Sequence, residues 1–94
     1  MIKVEHVDGD GDKGKILLYA LSTCIWCRRT KELLQGLGIA FDFIYVDLLE
    51  GDDKDKTMDE VKKFNPRCSF PTLVINYKHC ITGFKEDEIR EALK

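Results

Sequence analysis

The pattern that most constrains this chain is a pair of cysteines, Cys24 and Cys27, placed between a strand-like and a helix-like segment. The unbroken apolar run of residues 16–21 is typical of a strand that is buried on both faces. Residues 30–37 carry apolar side chains at the spacing of one helix face, and Gly38 is a suitable C-terminal stop. The sequence therefore predicts two cysteines in the first turn of a helix that directly follows a buried strand.

This position of the two cysteines predicts redox chemistry. The first turn of a helix presents unpaired N–H groups and the positive end of the macrodipole, and both favour a thiolate, which is the nucleophilic form of cysteine. Arg28, Arg29 and Lys31 add positive charge nearby. Residues three apart on one turn lie roughly 5–6 Å apart, within the range that a disulfide tolerates. We expect Cys24 to be the exposed nucleophile and Cys27, which faces the sheet, to be the resolving thiol.

Metal binding is the alternative that these residue types raise. A zinc site of this kind usually has a second cysteine pair or histidines at set spacing, and the remaining cysteines and histidines form no such pair. The spaced aspartates of residues 8–14 are similar to a calcium loop, but Lys13 and Tyr19 stand where the loop needs glycine and glutamate. We therefore interpret residues 8–14 as a solvated turn and expect no metal site.

The overall composition favours one small cytoplasmic domain. The 94 residues suit a single domain, 1–94, and the formal charge of −2 gives no reason to expect a nucleic-acid partner. No apolar run approaches the roughly 20 residues of a membrane span, and the N-terminus lacks the apolar segment of a signal peptide. In a reducing compartment, four cysteines are expected to be catalytic or metal-binding rather than a structural framework.

The rest of the chain predicts the order β-α-β-α-β-β-α. Strand, helix and strand in the first part form a right-handed parallel unit. The later segments are a strand over 41–47, an acidic loop over 50–55, a short helix that begins with a capping box at 57–60, a strand over 72–75, a hairpin turn at 76–78, a strand over 79–82 and a final helix over 86–94.

This order predicts an α/β fold, in which a four-stranded mixed sheet carries helices on both faces. Alternation at Ile2, Val4 and His6 is a weak signal for an extra N-terminal strand.

Three short motifs occur in order on these elements. Residues 24–27 place two cysteines around two other residues, residues 69–72 read Ser-Phe-Pro-Thr, and residues 82–84 read Thr-Gly-Phe before the last helix. With these motifs the chain resembles the glutaredoxins of the thioredoxin superfamily. The likeness covers roughly residues 15–94. It implies a thioredoxin fold over that core, with residues 1–14 as an N-terminal extension and with Pro71 in the cis form. By likeness to larger members of the superfamily, an N-terminal strand would join the outer edge of the sheet, beside residues 41–46.

The resemblance also implies an activity, which is the reduction of protein or small-molecule disulfides through Cys24 and Cys27. It implies no tightly bound cofactor and a role in electron transport and cell redox homeostasis. Loop residues around the cysteines would bind the substrate, with Arg28 favouring the thiolate. The substrate-binding positions that it implies are Thr23, Trp26, Arg28, Phe70, Pro71, Thr82, Gly83 and Phe84.

Departures from the glutaredoxin pattern leave the electron donor open. Leu21 stands where many members have lysine, and residues 82–87 lack the Gly-Gly and Asp pair that hold glutathione. The stretch is closer to the redoxins that serve ribonucleotide reductase and take electrons from a flavoprotein reductase. The candidate donors are thus glutathione, another small thiol or a thioredoxin reductase. The candidate partners of this expected monomer are disulfide-containing proteins, including ribonucleotide reductase.

An iron–sulfur carrier is the alternative from a different class of protein. Some glutaredoxins bind a [2Fe–2S] cluster in a dimer through the first cysteine, which would be Cys24 here. Carriers often have the motif Cys-Gly-Phe-Ser, which this chain lacks. The other two cysteines allow a further alternative, because Cys68 lies three residues before Pro71 and is a candidate third redox thiol. We interpret both Cys68 and Cys80 as packing residues.

Overall fold

The described part of the chain, residues 3–10 and 14–93 of a computed structural model, folds into five strands and three helices. The elements in chain order are β1 (Glu5–Val7), β2 (Ile16–Ala20), α1 (Ile25–Gly36), β3 (Phe41–Tyr45), α2 (Gly51–Phe64), β4 (Thr72–Ile75), β5 (His79–Thr82) and α3 (Glu86–Ala92). One 3₁₀ turn, Val46–Leu48, follows β3. Within these residues, no helix combines the length and the apolar character needed to cross a membrane.

The strands form one mixed sheet in the order β1-β3-β2-β4-β5. Strand β2 runs parallel to β3, with Leu18 opposite Phe43, and α1 connects the two strands. Strand β4 is antiparallel to β2, and β5 is antiparallel to β4. These pairings confirm the parallel strand-helix-strand unit and the hairpin that the sequence predicts.

The N-terminal strand makes the sheet five-stranded rather than four-stranded. Strand β1 pairs antiparallel with β3 at the outer edge, with His6 opposite Asp42. The predicted position beside residues 41–46 is therefore confirmed. Ile2, with which the alternating pattern begins, lies outside the described residues, as do residues 11–13 of the predicted turn.

Helices cover both faces of the sheet because consecutive strand residues point to opposite sides. On one face, Leu34 of α1 and Ile89 of α3 pack with Leu18. On the other face, Val61 of α2 packs with Tyr19. Each face thus has its own apolar core. The phenol of Tyr19 also donates a hydrogen bond to the carboxylate of Glu60, with 3.0 Å between the oxygens.

The start of α2 corrects one prediction from the sequence. The helix begins at Gly51, so residues 50–55 are not a loop and Thr57 does not cap the helix. Asp52 and Asp53 lie in its first turn, where their negative charges interact favourably with the positive end of the helix dipole and stabilise the helix. Thr57 is instead fully buried inside the helix. The capping-box pattern was misleading, because a threonine and a glutamate three residues apart also occur within helices.

Candidate active site

Cys24 forms the N-cap of α1. Its backbone is extended, and its Sγ accepts a hydrogen bond from the backbone N–H of Cys27, with 3.3 Å between sulfur and nitrogen. Its carbonyl oxygen accepts the N–H of Arg28, which begins the helical pattern. The side chain is half-buried, so part of its surface remains accessible. The first cysteine therefore lies at the start of the helix, where the sequence places it.

Cys27 lies one helical turn later and is only 2% exposed. Its Sγ accepts a hydrogen bond from the backbone N–H of Leu21, at 3.4 Å. Burial raises the pKa of Cys27 to about 12, and the Leu21 N–H works in the opposite direction. Both cysteines are unpaired, so the structure shows the dithiol form. The expected division into an accessible and a buried cysteine is confirmed.

Asp47 holds the turn that precedes the cysteines, and the sequence analysis missed it. The backbone N–H of Ser22 donates to Asp47 Oδ1 at 2.8 Å, and the Ser22 hydroxyl donates to Oδ2 at 2.5 Å. Partial desolvation raises the pKa of Asp47, but these bonds outweigh it and hold the pKa below its ordinary value. The parallel β2 and β3 offered a signal, because the residues that follow such strands meet at one edge of the sheet.

Five of the eight predicted substrate-binding positions line a single cavity of about 210 Å³ beside the helix start. They are Trp26, Phe70, Pro71, Gly83 and Phe84. The Phe70–Pro71 peptide bond is cis, as the resemblance implies. The backbone N–H of Gly83 donates to the carbonyl oxygen of Pro71 at 2.8 Å. This bond joins the proline loop to the turn before α3, so the two loops form one continuous wall.

Trp26 is 51% exposed, which agrees with the expectation of a partly exposed side chain. Its ring stacks on Phe84, with 5.9 Å between the ring centroids. The guanidinium carbon of Arg29 lies 5.3 Å from the centroid of the Trp26 ring. The contact with Arg29 follows from the i, i+3 spacing of the helix. These contacts orient an accessible aromatic side chain two residues along the chain from Cys24.

The other three predicted positions do not line this cavity. Arg28 lines an adjacent groove of about 690 Å³ between α1 and α3, and Phe84 borders both spaces. Thr82 pairs with Thr72 in the sheet, and Thr23 is exposed in the turn before Cys24. The structure thus brings five of the eight predicted positions together and leaves three outside this cavity.

The two remaining cysteines are half-buried. Cys68 has a φ of 53° and packs against the apolar cluster that contains Tyr19 and Val61. Burial raises the pKa of Cys80 in β5. In the described ranges, no cluster of three or more histidine, cysteine, aspartate or glutamate side chains could hold a metal ion.

The five-stranded mixed sheet with three helices is a thioredoxin-like fold. The chain belongs to the glutaredoxin family, whose sequence model matches residues 16–80. It is similar to the glutaredoxin from Methanosarcina mazei Go1, with 53% identity, coverage of 96% of this chain and 86% of that chain, and a TM-score of 0.89. It is also similar to the methanoredoxin of Methanosarcina acetivorans, with 52% identity, coverage of 87% and 86%, and a TM-score of 0.85.

A more distant relative is a glutaredoxin-like 8.6 kDa protein in the rubredoxin operon of Clostridium pasteurianum. It is 32% identical over 79 residues, which are 84% of this chain and 97% of the relative. The family as a whole is one of thiol–disulfide oxidoreductases, and glutathione is a common electron donor within it.

Proposed function

We propose that the chain is a dithiol–disulfide oxidoreductase in which Cys24 attacks the substrate and Cys27 resolves the intermediate. The observation that carries the proposal is the arrangement of Cys24 and Cys27 at the start of α1. An accessible sulfur at the helix start lies 3.3 Å from the backbone nitrogen of Cys27, whose own sulfur is buried one turn below. Cysteines at these positions can close a disulfide while the helix remains folded.

The reaction has two exchange steps. The Cys24 thiolate attacks one sulfur of a substrate disulfide, and the other sulfur leaves as a thiolate and takes a proton. The Cys27 thiolate then attacks the Cys24 sulfur, so that the Cys24–Cys27 bond forms and the bond to the substrate breaks. The substrate gains two electrons, and the cysteine pair is oxidised. A donor returns the two electrons and restores the dithiol.

The cavity beside Trp26 supplies the substrate-binding surface in this proposal. An extended peptide that carries a disulfide would lie along Phe70 and Pro71, where the loop backbone can pair with it like an added strand. Gly83 has a φ of +81° and no side chain, which allows a close approach. Thr23, Thr82 and Phe84 would border the peptide, and Arg28 would favour the Cys24 thiolate.

The proposed setting is a cytoplasmic monomer that reduces disulfides in proteins, with ribonucleotide reductase as one candidate. Glutathione, another small thiol and a thioredoxin reductase are the candidate donors. The relative in a rubredoxin operon supports a place among other redox proteins.

A disulfide-reduction assay tests the activity and identifies the donor. Glutathione with its reductase, and thioredoxin reductase with NADPH, are offered in turn to the wild type, Cys24→Ser and the matched control Cys80→Ser. Activity with either donor that Cys24→Ser abolishes and Cys80→Ser retains would support the proposal. Absence of activity with every donor, dithiothreitol included, would refute it and make the iron content of the purified protein the next measurement.

A second variant tests the order of the two cysteines. Cys27→Ser should retain the first step and trap a mixed disulfide between Cys24 and a protein substrate, visible by mass spectrometry. Cys24→Ser should trap none. If no adduct forms in Cys27→Ser while Cys24 still reacts with an alkylating reagent, Cys27 is not the resolving thiol.

A further inference from the structure

The turn between β2 and α1 is tied to both cysteines and to one carboxylate outside the turn. Leu21 donates its N–H to Cys27 Sγ at 3.4 Å and accepts the N–H of Cys24 at 3.2 Å. The next residue, Ser22, donates both its N–H and its hydroxyl to Asp47. Asp47 belongs to the 3₁₀ turn after β3, so it fixes the turn from a separate element.

We propose that Asp47 is a positioning residue for the resolving step, because it holds Ser22 and thereby keeps the Leu21 N–H directed at the Cys27 sulfur. The inference rests on the proposed function and assigns this residue a part in it. Asp47 touches neither sulfur in this role. It acts through the backbone that carries the hydrogen-bond donor.

The resolving step needs this donor because Cys27 must become a thiolate in an apolar surrounding. Burial raises the pKa of Cys27, and the Leu21 N–H is the contact that favours its charged form. The proton of Cys27 passes to solvent, and the thiolate attacks Cys24 Sγ. The bond from Cys24 to the substrate sulfur breaks, and that sulfur leaves with the electron pair. A looser turn would weaken the hydrogen bond from the Leu21 N–H to the Cys27 sulfur and slow the resolving step.

The negative charge of Asp47 acts in the opposite direction. It disfavours a negative charge on Cys27. The positive charge of Lys54 in α2 helps to lower the pKa of Asp47. Asp47 therefore has two separable effects on Cys27, since its hydrogen bonds help the thiolate and its charge opposes it.

Two substitutions separate these effects. Asp47→Asn removes the charge and retains an oxygen that can accept from the Ser22 N–H and an amide that can donate to the Ser22 hydroxyl. Asp47→Ala removes both the charge and the hydrogen bonds. Ser22→Ala keeps the charge and the backbone bond but loses the hydroxyl bond. Asp55→Asn is the matched control, because it removes one charge from an exposed position of α2.

The measurement is a single-turnover reaction with an aromatic disulfide that releases a coloured thiolate in each step. All variants carry Cys68→Ser and Cys80→Ser, so that only Cys24 and Cys27 react. The first colour phase reports attack by Cys24, and the second phase reports resolution by Cys27. Both phases are recorded across pH, and circular dichroism confirms that each variant is folded.

We expect the rate of the second phase to rise in Asp47→Asn and to fall in Asp47→Ala. Each unit by which the pKa of Cys27 falls raises its thiolate fraction about tenfold and lowers its nucleophilicity about threefold, so Asp47→Asn should speed resolution by up to about threefold. Its pH profile should move to lower pH. Asp47→Ala should slow resolution about five- to tenfold, which is the effect of losing about one ordinary hydrogen bond at the Cys27 sulfur. Ser22→Ala should slow resolution less and move its pH profile slightly to higher pH, because the Leu21 donor is weakened while the charge of Asp47 remains.

Equal second-phase rates in Asp47→Asn and Asp47→Ala would overturn the inference. If Asp47→Ala does not fold, a Ser22→Ala variant as fast as the wild type would overturn it instead. Failure of the proposed function gives a different result. In that case the wild type shows no second phase, or the first phase persists in Cys24→Ser.

Discussion

Thr57 offers the sharpest test of the packing in this fold. Its side chain is fully buried inside α2, on the helix face that also carries Val61. Among the described residues, its hydroxyl oxygen has no hydrogen-bond partner. A buried polar group without a partner destabilises the folded state, so replacing it with an apolar group of the same shape should stabilise the protein. We predict that Thr57→Val raises the free energy of unfolding.

The magnitude follows from the desolvation of the hydroxyl, which costs about 1–3 kcal/mol when it is left unpaired. Taking the lower end, Thr57→Val should add about 1 kcal/mol. The entropy of unfolding is about 2.1 cal/mol/K per residue, which for 94 residues gives roughly 0.2 kcal/mol/K. The melting temperature should therefore rise by roughly 5 °C.

Thr30 supplies the matched control, because it is also fully buried in a helix but its hydroxyl donates to the Trp26 carbonyl oxygen at 2.8 Å. Thr30→Val makes the same chemical change and should lower the free energy of unfolding by about 1 kcal/mol. Urea unfolding and calorimetry of both variants give the two values. A Thr57→Val variant that is no more stable than the wild type, or that loses as much as Thr30→Val, would refute this reasoning. Disulfide reduction should be unchanged in Thr57→Val, since α2 lies on the sheet face opposite α1.

Two further predictions concern the cavity and the N-terminal strand. Trp26→Leu removes the stack on Phe84 and the contact with Arg29, so kcat/KM for a protein disulfide should fall by about fivefold, and an unchanged value would exclude this cavity from substrate binding. The hydrogen bond with Asp42 at 2.7 Å raises the pKa of His6 above its ordinary 6.5. The contact between protonated His6 and Asp42 therefore stabilises the folded state. This stabilisation is fully present below pH 6.5 and is lost as the pH rises through the higher pKa of His6 in the folded state. The melting temperature should thus fall as the pH rises above 6.5 in the wild type and fall less in His6→Ala, and equal slopes would contradict the contact.

The sequence by itself determined the central unit and the placement of its two cysteines. A buried strand, a pair of cysteines and an amphipathic helix are local patterns, because each depends on the spacing of side chains within one short segment. The pattern therefore placed both cysteines at the start of the helix and Cys27 towards the sheet without knowledge of the rest of the fold, and the structure added that Cys24 is the N-cap. The resemblance added the cis form of Pro71 and the loop opposite the cysteines. It too depends on short local segments, residues 69–72 and 82–84.

Tertiary structure decided the features that join distant segments. The tie between Ser22 and Asp47 depends on two parallel strands that end at the same edge, and neither residue forms a motif on its own. The burial of Thr57 likewise depends on how α2 lies on the sheet, whereas the local pattern indicated a capping box at the start of the helix. A side chain's spacing along the chain fixes which face it shares with its neighbours, but only packing fixes what that face meets.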